Sequence, residues 1–234
     1  MLDEVNNLPD VVKQYFIKTL KDRLTTDFNS VKLRQQGQLR TLEKDQWMEF
    51  SAREVIVADE CSFHWKAKVK IPLGLHISVV DSFNLGIGYG QVKFLSLIPI
   101  GHESNSVELN SGALHRYLAE GVWCPTVLLP CHGVKWVEKD KDSAEATLTV
   151  GESTVSLVFR FKNGDVISVY SDGRFGKFRS GYQKKGWEGH FKDYREVNGI
   201  RIPFYGEVGW WENNKLRLVW KGQIVEAEWG IKNE

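Results

Sequence analysis

The sequence predicts a mainly β protein: one large curved antiparallel sheet, a half-barrel or barrel, carrying an N-terminal helix and a central helical insert. Three observations carry this expectation. Strand-period alternation recurs along most of the chain, as where Phe63, Trp65, Ala67 and Val69 alternate with His64, Lys66, Lys68 and Lys70. Asn163-Gly164 and Asn198-Gly199 are strong hairpin signals, because a type I′ turn needs positive φ at both central positions. Helical spacing is confined to residues 8–21 and to part of residues 105–130. All-β units reach this length of 234 residues as one domain, so a single domain over 1–234 is expected, with strands over 30–100 and 134–229.

In the first element, Pro9 and Asp10 sit at the positions a helix start favours, and Val12, Tyr15, Phe16 and Leu20 follow at helical spacing. Residues 25–29 are short and polar and read as a connector. Residues 31–42 and 47–58 form a hairpin across the turn-like Glu43-Lys44-Asp45, with Val31, Leu33 and Gln35 on one face. The next strand presents three lysines to one side and its aromatics to the other. Ile71 to Gly74 turns the chain into strands over residues 76–83 and 87–98.

Gly86, Gly88 and Gly90 recur at period two in that second strand. Bare alternate positions let a strand bend, and they also admit a neighbouring backbone or a ligand. Curvature is the simpler reading.

The insert opens on Asn105-Ser106-Val107-Glu108, which reads as a capping box with Asn105 at the N-cap. A helix from Ser106 to Trp123 follows until Pro125 forbids continuation, and Pro130 closes a second short apolar stretch. After Gly133 strands return at residues 135–139, 144–150, 154–161, 165–175, 187–197, 201–211 and 216–229.

Composition excludes several function classes. With 31 basic and 30 acidic residues, no overall field draws the chain to nucleic acid. Cys61, Cys124 and Cys131 lack paired zinc or redox spacing and read as reduced, mostly buried thiols. The six histidines have no metal-ligand spacing, so neither a metal nor a cofactor is expected. Gly86 to Gly90 lacks the spacing of a dinucleotide fingerprint, and Ser111-Gly112 lacks a nucleophile elbow. No apolar run reaches the length of a membrane span, and the first residues, with Asp3 and Glu4, lack a signal-peptide pattern. A cytoplasmic protein is the corresponding expectation.

The chemistry-bearing candidates cluster around the insert. Arg116 and Glu120 share a helix face and read as an intrahelical ion pair or as an acid lining a cavity. Asp81 stands in the apolar strand Val79-Val80-Asp81-Ser82-Phe83; if it meets Glu120 or His115, acid/base work becomes available. Arg174, Lys177, Arg179, Lys184 and Lys185, interleaved with Phe175, Phe178 and Tyr182, read as a solvated hairpin loop, with an anionic headgroup site as the sharper alternative. Nine tryptophans invite an aromatic-lined pocket for an apolar or lipid-like ligand. Its candidate lining is Trp65, Asp81, Arg116, Tyr117, Glu120, Trp123, Trp136 and Arg174. The rival readings are an enzyme with Glu120 and Asp81 as acid and base and Arg116 on a carboxylate or enolate, and a protein-interaction scaffold without a cavity.

The run from Arg116 to Leu129, RYLAEGVWCPTVLL, resembles the R-Y-L-x-E-x-x-W-x-P-T-A-L-L signature of a bacterial family whose function is unassigned. Phe63-His64-Trp65-Lys66-Ala67, Asp81 with Gly86 and Gly88, Asp193-Tyr194 and Gly199 to Pro203 are similar in order to further pieces of that family. The resemblance extends from Leu8 to Trp229; Cys124 and Val127 depart from its usual variable and Ala positions. The layout is in turn similar to the LolA-like lipoprotein carriers, which implies a half-barrel that holds acyl chains under a helical lid.

Overall fold

The structure, a computed structural model, describes residues 5–21 and 28–231. Asp3 and Glu4, and residues 25–27 of the expected connector, lie outside the described residues; Phe28 and Asn29 already belong to a strand. Helix α1 spans Asp10–Leu20 and buries Val12, Tyr15, Phe16 and Leu20. Thirteen strands follow: β1 Phe28–Leu39, β2 Met48–Val57, β3 Ser62–Lys70, β4 His76–Asn84, β5 Ile87–Phe94 and β6 Ile98–Ser104 before the insert; then β7 Lys135–Asp140, β8 Ser143–Val150, β9 Ser153–Lys162, β10 Asp165–Phe178, β11 Gly181–Val197, β12 Ile200–Glu212 and β13 Lys215–Ile231. Helix α2, Val107–Glu120, forms the core of the insert.

All the strands belong to one antiparallel sheet in the order β6-β5-β4-β3-β2-β1-β13-β12-β11-β10-β9-β8-β7. The sheet is open and curved, a half-barrel rather than a closed barrel, with β6 and β7 as its edges. Two meanders, β1 to β6 and β7 to β13, meet along a seam where β1 pairs with β13 from Phe28 opposite Ile231 to Leu39 opposite Trp220. The insert carries the chain from one edge strand to the other, and α2 packs on β4 and β5 of one meander and on β9 and β10 of the other. A sheet that curves around a single helix can bury that helix on several sides, and Ala113, Leu114, His115, Tyr117, Leu118 and Ala119 are all buried.

Local chemistry explains the main elements and the departures from the sequence expectations. Asn163 and Gly164 have φ of 54° and 75°, and Asn198 and Gly199 have 50° and 83°, as the type I′ assignment requires. The N-cap of α2 is Ser106 rather than Asn105. Ser106 is extended and its Oγ accepts from Leu109 N at 3.1 Å, whereas Asn105 is left-handed with φ 55°. The helix also ends at Glu120, before Trp123, in tight turns where Trp123 N donates to Glu120 O at 2.8 Å.

The expected basic hairpin loop is a strand pair, β10 and β11, in which Arg174 lies opposite Lys185 and Phe178 opposite Gly181. Strand β6, within residues expected only in part as strand, occupies an exposed edge. Cys124 is buried, but Cys61 is intermediate and Cys131 exposed, contrary to the expectation of mostly buried thiols. The period-two glycines divide in role: Gly86 is in a turn with φ 94°, while a Cβ on Gly88 would lie 3.0 Å from the Leu109 side chain, so that bare position admits α2.

Candidate functional site

Arg116 projects from α2 toward the first meander and gathers three carboxylates. Its Nε donates to Glu120 Oε1 at 2.8 Å, one terminal nitrogen to Asp81 Oδ2 at 2.6 Å, and the other to Glu54 Oε1 at 2.8 Å. The Phe63 and Trp65 rings lie 4.7 and 5.1 Å from the guanidinium carbon. The helix supplies Arg116 and Glu120 four residues apart on one face, as their spacing implies, and β4 supplies Asp81. His115 is directed elsewhere: its Nδ1 donates to Ser111 O at 2.9 Å, and Ser171 Oγ lies 3.3 Å from Nε2. Burial pushes the His115 pKa down to about 4, consistent with a neutral ring.

Glu54 is the member that the sequence reading did not single out. It occupies an inward position of β2 in line with Phe50, Ala52 and Ile56, and its side chain is fully buried. Gln35, inward on β1, donates to Glu54 Oε2 at 2.6 Å and accepts from Trp65 Nε1 at 2.8 Å. An acid at a core position of an alternating strand was the available signal.

Burial raises the pKa of both Glu54 and Glu120. The Glu120 charge raises Glu54 further, while Arg116 pulls both downward. Glu120 Oε2 is buried and has no hydrogen-bond donor. The raised pKa values of both carboxyls favour a proton retained on the pair, and such a proton gives Glu120 Oε2 a bonding partner. Burial alone would lower the Arg116 pKa, but the three acids outweigh it and keep the guanidinium charged.

Three members of this cluster, Asp81, Arg116 and Glu120, line a cavity of about 190 Å³ between α2 and the sheet. Trp65, Trp123, Trp187, Phe191, Val208 and Trp220 supply apolar walls, and Asp81, Arg116, Glu120 and Arg174 supply polar groups. Asp81 is one-third exposed, so the acidic cluster reaches solvent. The rings are accommodated by Gly222 and Gly206, paired across β13 and β12. Cβ atoms would lie 2.6 Å from Trp220 at Gly222 and 2.9 Å from Trp123 at Gly206.

Of the expected lining, Trp65, Asp81, Arg116, Glu120, Trp123 and Arg174 surround this cavity. Tyr117 and Trp136 do not. Tyr117 is buried with its hydroxyl on Val57 O at 3.2 Å, and Trp136 donates to Leu128 O at 2.9 Å while its ring packs on Phe159. Each therefore anchors the insert to the sheet. Trp187 and Trp220 join the site because strand alternation points them inward, an orientation fixed only once the sheet register is known.

The architecture defines an open, curved antiparallel half-barrel with a helical insert and an aromatic cavity beneath it. Residues 6–229 match the family of unknown function DUF6920, and the chain belongs to that family. No curated protein matches its sequence. Among solved structures, a domain from Vibrio parahaemolyticus named as an outer membrane lipoprotein-sorting protein is similar in fold, at 8% identity and a TM-score of 0.52, covering 98% of this chain and 95% of that one. A LolA superfamily protein from Nitrosomonas europaea aligns at 9% identity and a TM-score of 0.49, over 93% and 91% of the two chains. A DUF1329 protein from Desulfovibrio piger aligns at 10% identity and 0.48, over 96% and 95%. The first likeness shows that the open curved sheet with its helical insert is a shared fold. Among the described residues, no helix is long and apolar enough to cross a membrane.

Proposed function

We propose that this protein binds a small apolar or lipid-like molecule in the cavity between α2 and the curved sheet. The observation that carries the reading is a cavity walled by four indoles and Phe191, with Asp81, Arg116, Glu120 and Arg174 as its polar lining. Size narrows the ligand. A cavity of roughly 150 Å³ admits benzene, so the 190 Å³ here suits one ring or one short acyl chain. A larger lipid requires α2 to move away from the sheet. The name of the Vibrio parahaemolyticus domain is compatible with this reading, because a lipoprotein's lipid is apolar.

Native mass spectrometry of the purified protein, paired with solvent extraction, tests the proposal. A bound mass that disappears in Ala119→Phe, whose ring fills the cavity, is the expected result. Absence of a co-purifying molecule together with failure to take up short-chain apolar probes would overturn it. A second reading has one specific observation in its favour: Asp81 and Glu120 converge on the cavity, where an acid and a base can act on a bound molecule. In that case Arg116 organises the acids, since each of its three nitrogens is already paired with a carboxylate.

A further inference from the structure

The cavity contains a second guanidinium in a different situation from Arg116. Arg174, on β10, lines the cavity beside Trp187 and has its guanidinium carbon 4.6 Å from the Trp187 ring and 5.4 Å from the Trp210 ring. Its Nε and Nη2 donate to Gly112 O at 3.3 and 3.1 Å, which fixes the plane of the group against α2. Among the described residues no carboxylate forms a salt bridge with it, in contrast to the three on Arg116. Burial and the nearby Arg116 charge push its pKa down to about 10, so its environment opposes the positive charge that it carries at neutral pH.

We propose that Arg174 is the recognition group for a carboxylate on an apolar ligand, the headgroup pairing with the guanidinium and the body lying against the tryptophans. This inference rests on the ligand-binding reading of the cavity. Three features narrow the ligand. The Nε and Nη2 bonds to Gly112 leave the Nη1 and Nη2 end of the planar fork for a bidentate partner, and a carboxylate matches that geometry. Charge disfavours a dianion: Arg116 and Arg174 already face Asp81 and the Glu54 and Glu120 pair, so a dianion adds twice the excess charge of a monoanion to a buried site. Asp81 and Glu120 also face the cavity, but Arg116 is bonded to both and offsets their repulsion. The volume selects a short body, one ring or a short chain.

Calorimetric titration of the full chain with octanoate, 1-octanol, octylamine and 3-phenylpropanoate tests this inference. Octanoate is expected to bind about ten- to hundredfold more tightly than 1-octanol, the range of one charge-assisted hydrogen-bonded contact. The phenyl acid distinguishes an aromatic from an aliphatic body. Arg174→Gln is expected to erase the preference while retaining 1-octanol binding, and Arg174→Lys to retain part of it. Equal binding of acid and alcohol by the native chain, preferred binding of the amine, or an undiminished acid preference in Arg174→Gln would each overturn the role of Arg174 and leave the apolar cavity reading intact. Failure of every probe to bind the native chain would overturn both. The native-chain comparison decides the matter even if the variants do not fold.

Discussion

Glu54 and Glu120 both approach Arg116, yet their remaining hydrogen bonds make their substitutions unequal. Glu54 accepts from Gln35 on one oxygen and from Arg116 on the other, so an amide in its place must set a donor against a donor. Glu54→Gln is expected to cost about 1–3 kcal/mol, the range for an unsatisfied buried polar group. Glu120 accepts from Arg116 on Oε1 only, while its Oε2 lacks a donor. Glu120→Gln therefore places an N–H where the shared proton was, directed toward Glu54. For carboxyls whose folded-state pKa lies above the ordinary value of 4.5, the folded state holds more protons, and stability falls as pH rises from that ordinary value through the raised one. Glu120→Gln removes one member of the pair and is expected to flatten that fall. Urea melts at about pH 5 and about pH 8 measure the difference; an unchanged pH slope would show that the pair does not share a proton. At this scale the sequence disclosed Arg116, Glu120 and Asp81, because a charge beside apolar neighbours is conspicuous. Glu54 was legible only from its place in line with Phe50, Ala52 and Ile56, a weak signal because Arg53-Glu54 also looks like an ordinary charged surface pair.

At the scale of elements, α2 is held close to both meanders, and small residues set its distance. Gly112 faces β10, where an added Cβ would lie 2.9 Å from Phe175 O, and its own carbonyl receives Arg174. Helix propensity favours Ala over Gly by about 1 kcal/mol. Overpacking typically costs about 1–3 kcal/mol, and here the obstacle is backbone. The clash is expected to win. Gly112→Ala should lower the thermal midpoint and weaken the Arg174 contact, and a rise in midpoint would instead show that α2 shifts freely away from β10. Both helices and most strands were legible because period and turn chemistry agreed. Strand β6 was incompletely legible because Phe94 to Ile100 is nearly continuous in apolar residues and the preceding turn places Leu95 and Ser96 at φ of 51° and 62°, without the usual Asn or Gly signal. The tip between β10 and β11 was misread for a related reason: basic residues alternating with aromatics on a long hairpin mimic a polar loop.

For the molecule as a whole, the seam between β1 and β13 unites two meanders whose other strand pairings are between successive strands. Periodicity cannot reveal that seam, because alternation states which face a residue occupies but not which distant strand lies beside it. The family signature also lies in the insert, remote in sequence from both seam strands. Gly37 and Gly222 are opposite each other on the seam. A Cβ on Gly37 would collide with Lys221 O and lie 2.7 Å from Gly222 Cα, so relief requires the two strands to part. Gly37→Ala is expected to cost about 3 kcal/mol, the upper part of the usual overpacking range, since backbone cannot rotate away. The loss should appear in one cooperative transition because α2 packs on both meanders, and separating them exposes that helix. Urea unfolding followed by tryptophan fluorescence and by far-ultraviolet circular dichroism decides the point. Coincident transitions support a single folding unit, whereas two transitions moved apart by the substitution would show that each meander folds without the other and that the cavity is a junction between independent halves.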